Sequence, residues 1–153
     1  MSSMGHAVVV KLLMTVEDTN INKSLHKGFL SLFIASARGQ TEVIKVLLDA
    51  EGIEVNDSTD QGLTSLHMAS SRGHVEIVKL LLAAKGVDVN TVSSEVGTSL
   101  HAASLLGHVE IVKLLLDADG IDKDIALGNG TALEMATEKG HTEIQTLLRA
   151  ASA

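Results

Sequence analysis

The chain has no cysteine and no proline in 153 residues, no tryptophan or tyrosine, and two phenylalanines, Phe29 and Phe33. The missing cysteines exclude disulfides and thiolate metal sites, and fit a reducing compartment. Proline averages about 5% of residues, so roughly seven or eight are expected in a chain of this length. Their absence points to an unusual lineage or to an engineered sequence. With so few aromatics, the core must be built from Leu, Val, Ile and Ala. Small aliphatic side chains suit closely packed helices better than a sandwich or a barrel.

Positive charge is also scarce. Twelve Lys and Arg face nineteen Asp and Glu, for a formal net charge of −7. That disfavours a nucleic-acid binder, which needs a cation surplus to neutralise phosphates, and no polybasic run is present to dock on an anionic membrane. No apolar stretch approaches the roughly 18 residues of a membrane span. Val8 to Met14 is apolar apart from Lys11 but too short for a convincing signal peptide. A cytoplasmic or nuclear protein is expected, not a secreted one. Apolar residues nevertheless make up 45% of the chain, enough for a substantial folded core.

What the chain does have is self-similarity. Gly5-His6, Gly39-Gln40, Gly73-His74, Gly107-His108 and Gly140-His141 recur at intervals of 34, 34, 34 and 33 residues. The segment His74 to Leu82 returns letter for letter as His108 to Leu116, with looser copies at His6 to Met14, Gln40 to Leu48 and His141 to Arg149. Such a period implies a solenoid, in which each unit buries its apolar face only against its neighbours. After each Gly-His pair comes a helical pattern. Glu76, Lys79 and Ala83 form one narrow polar stripe, repeated at Glu42, Lys45, Asp49 and at Glu110, Lys113, Asp117. Before it lies a shorter segment, Thr64 to Arg72, with Thr64 or Ser65 placed to cap its start and Gly73 its end. Links such as Gly86-Val-Asp-Val-Asn90 read as turns or hairpin-like fingers.

These residues resemble the ankyrin repeat family. The family pattern Gly-x-Thr-Pro-Leu-His-x-Ala-Ala, Gly-His-x-Glu-Ile-Val-x-Leu-Leu-Leu, Gly-Ala-Asp-Val-Asn stands here as Gly62-Leu-Thr-Ser-Leu-His-Met-Ala69, Gly73-His-Val-Glu-Ile-Val-Lys-Leu-Leu-Leu82 and Gly86-Val-Asp-Val-Asn90. Thr98-Ser-Leu-His-Ala-Ala103 matches as well; Thr131 to Ala136 and Leu30 to Ala35 are weaker copies. The resemblance implies an all-α ankyrin-repeat solenoid of stacked helix-turn-helix units joined by hairpin-like fingers. It would hold about four full repeats after an N-terminal half repeat, with units near 1–22 (partial), 23–56, 57–90, 91–124 and 125–153 in one domain.

The departures carry information too. The family proline is Ser31, Ser65, Ser99 or Ala132. One extra residue precedes Gly52, Gly86 and Gly120. Val96 stands where Gly62 stands one unit earlier, with Gly97 beside it, so that fingertip is expected to turn differently. The half unit Gly5 to Met14 lacks a first helix and carries Val8 in place of the solvent-facing Glu, which suggests either a piece of something longer or fraying or self-association at that end. Gln145 and Arg149 replace apolar or Lys positions and read as a polar cap.

Seven histidines invite a metal or catalytic reading, but a structural one is simpler. His67 and His101 follow Thr-Ser-Leu, so Thr64 and Thr98 can hydrogen-bond them. His74, His108 and His141 lie one unit apart and do not converge as zinc ligands must. No phosphate loop, nucleophile constellation or paired-carboxylate site is evident, so neither a cofactor, nor a metal, nor an enzyme activity is expected. Asn22, Asn56 and Asn129 match glycosylation acceptors, read as coincidences. Asn56 and Asn90 read as side-chain caps within their own fingers; the resemblance adds possible asparaginyl hydroxylation there.

The resemblance further implies that function lies on fingertips and on the outward side of the first helices, where copies differ. The positions before the Gly-His pairs are Ala37-Arg38, Ser71-Arg72, Leu105-Leu106 and Glu138-Lys139; the fingertip sets are His26-Lys27-Phe29, Asp60-Gln61-Leu63, Ser94-Glu95-Gly97 and Leu127-Gly128-Gly130. From these, Phe29, Arg38, Asp60, Gln61, Leu63, Ser71, Arg72, Ser94, Glu95, Leu105, Leu106, Glu138 and Lys139 are the candidate partner-binding residues. Leu105 and Leu106 are the sharpest of them, two leucines where neighbouring copies are mostly polar or charged. A monomeric protein-binding module is expected, with a regulatory stack, a self-associating scaffold or an engineered ankyrin-type binder as alternatives.

Overall fold

A computed structural model describes residues 25–50 and 53–151, with side chains from residue 31 onward. The half unit Gly5 to Met14, and with it the self-association expected there, lies outside the described residues, as do Asn22 and Gly52.

Eight helices follow one another, and among the described residues no strand intervenes. They are α1 (Leu25–Arg38), α2 (Thr41–Leu48), α3 (Ser65–Arg72), α4 (Val75–Leu82), α5 (Ser99–Leu106), α6 (Val109–Leu116), α7 (Ala132–Lys139) and α8 (Thr142–Ala150). Each odd helix packs antiparallel on the even helix that follows it. The odd helices also stack α1 on α3 on α5 on α7, and the even ones α2 on α4 on α6 on α8. Two parallel layers result, which we call inner (odd) and outer (even).

Three inner helices start the same way. Thr64, Thr98 and Thr131 adopt extended backbone, and each side chain accepts the N–H of the third helical residue (His67, His101, Glu134), whose own side chain returns to the threonine N–H. This reciprocal cap satisfies two of the orphan donors at a helix start. The first inner helix differs. Leu30 stands where the others have threonine, so nothing caps a start there, and the helix runs back to Leu25. His26, Lys27 and Phe29, expected on a finger, therefore belong to helical backbone, and that expectation is corrected.

The core is aliphatic throughout. Leu32, Leu66 and Leu100 from the inner layer meet Ile44, Leu47, Ile77, Leu81, Ile111 and Leu115 from the outer, all essentially inaccessible. Ala35, Ala69, Ala103 and Ala136 recur at one position of the inner helices and are fully buried, which lets neighbouring backbones approach. Glu76 and Lys79, like Glu42–Lys45 and Glu110–Lys113, pair on the outer surface at 3.1–3.4 Å and contribute little stability at such exposure. On α8, Gln145 takes the place of buried Val78 and Val112, and Arg149 that of Leu82 and Leu116. The last described helix thus presents the polar side expected of it.

The fingers are short hairpins, and each turns in its own way. Thr59 N–H donates to Leu63 O while Gly62 N–H returns to Thr59 O, with Gly62 at φ +84. One unit on, Ser93 and Gly97 exchange both bonds across a longer loop, and positive φ moves to Gly97 (+79). Leu127 and Gly130 close a two-residue turn over Gly128-Asn129. The different turn expected at Val96-Gly97 is present, because Val96 cannot take the left-handed conformation at low cost and the adjacent glycine can.

Candidate functional site: the exposed flank of the inner helices and the fingers

The frame is joined by side chains that reach from unit to unit, and among the described side chains these account for the five histidines His67, His74, His101, His108 and His141. His67 Nδ1 accepts the Thr64 N–H at 3.0 Å and lies 2.9 Å from Thr64 Oγ1; His101 does the same with Thr98 at 3.2 and 2.7 Å. With Nδ1 accepting, each ring is the neutral tautomer protonated at Nε2. That Nε2–H donates forward to the next finger, His67 to Gly97 O at 2.9 Å and His101 to Gly130 O at 3.1 Å. Burial pushes the pKa of both imidazoles down, against the raising influence of those carbonyls. The bond to threonine follows from the sequence; the forward bond does not, since spacing within a unit says nothing about the next finger's carbonyl.

The second histidine set reaches backward. His74, His108 and His141 place Nε2 at 3.2, 2.9 and 3.0 Å from the carbonyls of Ala37, Ser71 and Leu105. Their rings lie over Gly39, Gly73 and Gly107, where an added Cβ would come within 2.8–3.0 Å of Cε1. Gly-His is therefore a joint between units as well as a helix stop. Asn56 and Asn90 were expected to cap their own fingers. Instead Asn56 donates to Gly86 O (2.8 Å) and accepts from Asp88 N–H (2.7 Å), and Asn90 donates to Gly120 O (2.8 Å) and accepts from Asp122 N–H (2.9 Å). An amide carries a donor and an acceptor side by side, so it can clip onto a neighbouring backbone as a carboxylate cannot. Toward α7 and α8 the forward connectors give way to acids: Asp124, closing the α5–α6 unit, stands at the asparagine position, and Glu134 stands at the first-histidine position and caps Thr131 only.

With these groups committed to the frame, the candidate binding residues fall into two rows. At the ends of the inner helices Arg38, Arg72, Leu106 and Lys139 occupy equivalent positions, all exposed, preceded by half-buried Ala37, Ser71 and Leu105 and by exposed Glu138. Leu106 keeps 51% of its surface accessible, the most of any large apolar side chain described, followed by Val92 at 46% and Ile34 at 37%. On the fingers Asp60, Gln61, Ser94 and Glu95 are exposed and Leu63 is half-buried. The two rows lie at opposite ends of the inner helices, about 12 Å apart for eight residues, with Leu63 in the finger row and Leu106 in the helix-end row. The Phe29 side chain is outside the described residues. Sequence reasoning missed Ile34 and Val92. Ile34 shares the α1 face of Ala37 and Arg38 at helical spacing, a signal that was available.

Open clefts among the described residues lie elsewhere. One, of about 490 Å³, sits between the ends of α4 and α6, lined by Leu82, Val87, Leu114 and Asp119 among others; another, of about 450 Å³, borders Ile121, Asp122 and Ala151. Neither touches the candidate rows. Among the described residues no three His, Asp or Glu side chains are grouped to hold a metal ion, and no helix is long and apolar enough to cross a membrane.

No curated protein sequence matches the chain significantly. A family model described as ankyrin repeats (3 copies) matches residues 1–93 and 92–153. Stacked capped helix pairs, hairpin fingers and this match across the whole length agree: the chain belongs to the ankyrin repeat family.

Proposed function

We propose that the protein is a non-catalytic interaction module that holds a partner protein against the exposed flank of its inner helices and the adjoining fingers. One observation carries the reading. Leu106 stands 51% exposed in a row where the neighbouring units have Arg38, Arg72 and Lys139, with half-buried Leu105 beside it. A large apolar side chain that the fold neither buries nor requires, ringed by charge, is the composition of a contact hot spot. The imidazoles and amides that could suggest chemistry are spent on joining units, and family membership supports a binding role. The contact set is Arg38, Asp60, Gln61, Leu63, Ser71, Arg72, Ser94, Glu95, Leu105, Leu106, Glu138 and Lys139, with Phe29, expected from the sequence, outside the described side chains.

The test pairs Leu106→Glu with Leu105→Glu/Leu106→Glu. Both are expected to keep helical circular dichroism while losing the partner that wild-type protein cross-links in cell extract. If Leu106→Glu folds and still captures the partner, the reading fails. If the double variant alone unfolds, Leu105 is a packing residue and the single variant decides.

A further inference from the structure

The chemistry of the partner can be read from the row of inner-helix ends. The chain is acidic overall; Lys45, Lys79 and Lys113 on the outer helices pair with glutamates of their own helices and Lys123 pairs with Asp124, whereas Lys85 and Arg149, away from the inner-helix ends, are in no ion pair among the described residues. Arg38, Arg72 and Lys139 form no ion pair among the described residues. All three are exposed and occupy the same position in their units, with Leu106 holding the fourth. A cation there complements the helix macrodipole, and that interaction leaves its outward hydrogen-bonding face open. The finger row across the flank carries Asp60 and Glu95 instead. An acidic ligand would be pushed from the fingers and drawn to the helix ends.

Spacing narrows the choice. Packed helices stand about 8–10 Å apart, so the row presents one contact per such step. A polyproline-type segment has three residues per turn and rises about 3.1 Å per residue, so every third side chain returns to the same face after about 9 Å. A bound helix would need a broad apolar groove with anchors at i, i+3, i+4 and i+7. On the helix face beside this row the equivalent positions are exposed Ile34, half-buried Met68 and buried Ala102 and Met135, with small Ala37 and Ser71 next to them, so the apolar surface there is broken and not a continuous groove. An extended chain, which needs one contact per unit, suits such a row better than a helix does.

Building on the interaction reading above, we infer that the partner supplies an extended acidic segment laid across Arg38, Arg72, Leu106 and Lys139, with carboxylates at three of every-third-residue positions and an apolar side chain at the one facing Leu106. Arg38 and Arg72 carry most of the attraction, because Glu138 offsets Lys139.

The test measures binding of the full chain to labelled ten-residue peptides by fluorescence anisotropy. The designed peptide has Glu at positions 1, 4 and 10 and Leu at 7 on a Pro/Ser background, made in both chain directions. Controls are a scrambled peptide and a longer alanine-based one with the same side chains at sevenfold spacing. The better direction should bind about tenfold or more tightly than the scrambled peptide and weaken as salt rises. Arg38→Gln/Arg72→Gln should lose most of that preference with unchanged circular dichroism. Arg38→Glu/Arg72→Glu should instead prefer a peptide with Lys for Glu. Equal binding of designed and scrambled peptides, tighter binding of the helix-spaced peptide, or indifference to the arginine changes overturns the inference. Any of these alongside partner loss in Leu106→Glu would leave the interaction reading intact and remove only the acidic segment.

Discussion

The His108 ring rests on Gly73: a Cβ at Gly73 would lie 3.0 Å from Cε1, while Nε2 of the same ring holds Ser71 O at 2.9 Å. The glycine is thus constrained twice, by φ +77 and by its neighbour's imidazole. Gly140 has nearly the same φ, +76, with nothing within 4 Å of its notional Cβ. The pair separates backbone from contact. Gly140→Ala should cost about 1 kcal/mol, the usual penalty of the left-handed conformation. Gly73→Ala should cost about 1 kcal/mol more, because the pinned ring must move and surrender its bond. Urea denaturation of the two variants measures the difference; equal midpoints would show that the ring yields freely.

Ser36, Ser70 and Ser104 recur at one position of the inner helices, fully buried, with hydroxyls that find no hydrogen-bond partner among the described residues. A buried unpaired hydroxyl costs about 1–3 kcal/mol, and alanine is the better helix former. Ser70→Ala and Ser104→Ala should each stabilise the protein by about 1 kcal/mol and nearly add in combination, since they do not touch one partner. Thermal melts of the single and double variants check this, and a loss of stability would reveal a bond the geometry does not contain.

The two capping imidazoles make stability depend on pH. Their folded pKa lies below the ordinary 6.5, chiefly through burial. The unfolded chain therefore takes up protons first as pH falls, and stability declines from about 6.5 down to the folded pKa, below which the loss levels off. Protonation also puts an N–H at Nδ1, facing the Thr64 or Thr98 N–H it should accept. Ring signals of His67 and His101 in NMR titrations should give midpoints below the ordinary 6.5, and the urea midpoint should fall between pH 7.5 and 5. Midpoint titration at or above 6.5 would contradict the burial argument.

Asn90 tests the forward clip. Asn90→Ala removes both bonds to Gly120 and Asp122 and should cost about 1–2 kcal/mol at this exposed site. Asn90→Asp keeps an acceptor for the Asp122 N–H but turns a carboxylate toward Gly120 O, so it should be no better than alanine. Recovery of full stability by aspartate would mean that only the Asp122 bond matters.

The helical units could be read from the chain because their causes are local. A threonine three residues before a histidine makes a cap, and a glycine after the last turn makes a stop, whatever lies nearby. Leu30 illustrates the same rule in reverse: without the threonine the helix extended to Leu25 and absorbed the finger expected around His26, Lys27 and Phe29. What escaped the sequence was contact between units. Asn56 appeared to serve its own finger because a repeat unit is read alone, whereas its amide is matched to backbone 30 and 32 residues away. The exposure of Leu106 was foreseen from its disagreement with Arg38, Arg72 and Lys139; that of Val92 was not, although Ser58 and Ala126 at its equivalent positions carried the same kind of disagreement.

The latches between units are not spread evenly along the stack. The joint between the α3–α4 and α5–α6 pairs holds three, His67 and Asn90 reaching forward and His108 backward. Its neighbours hold two each, Asn56 with His74 on one side and His101 with His141 on the other, because Phe33 stands at the histidine position of the α1–α2 unit and Asp124 at the asparagine position after α6. In a one-dimensional array, opening begins where the fewest neighbours must be released. The described fold should come apart like a zipper from its flanks inward, with the α3–α5 joint the last to part.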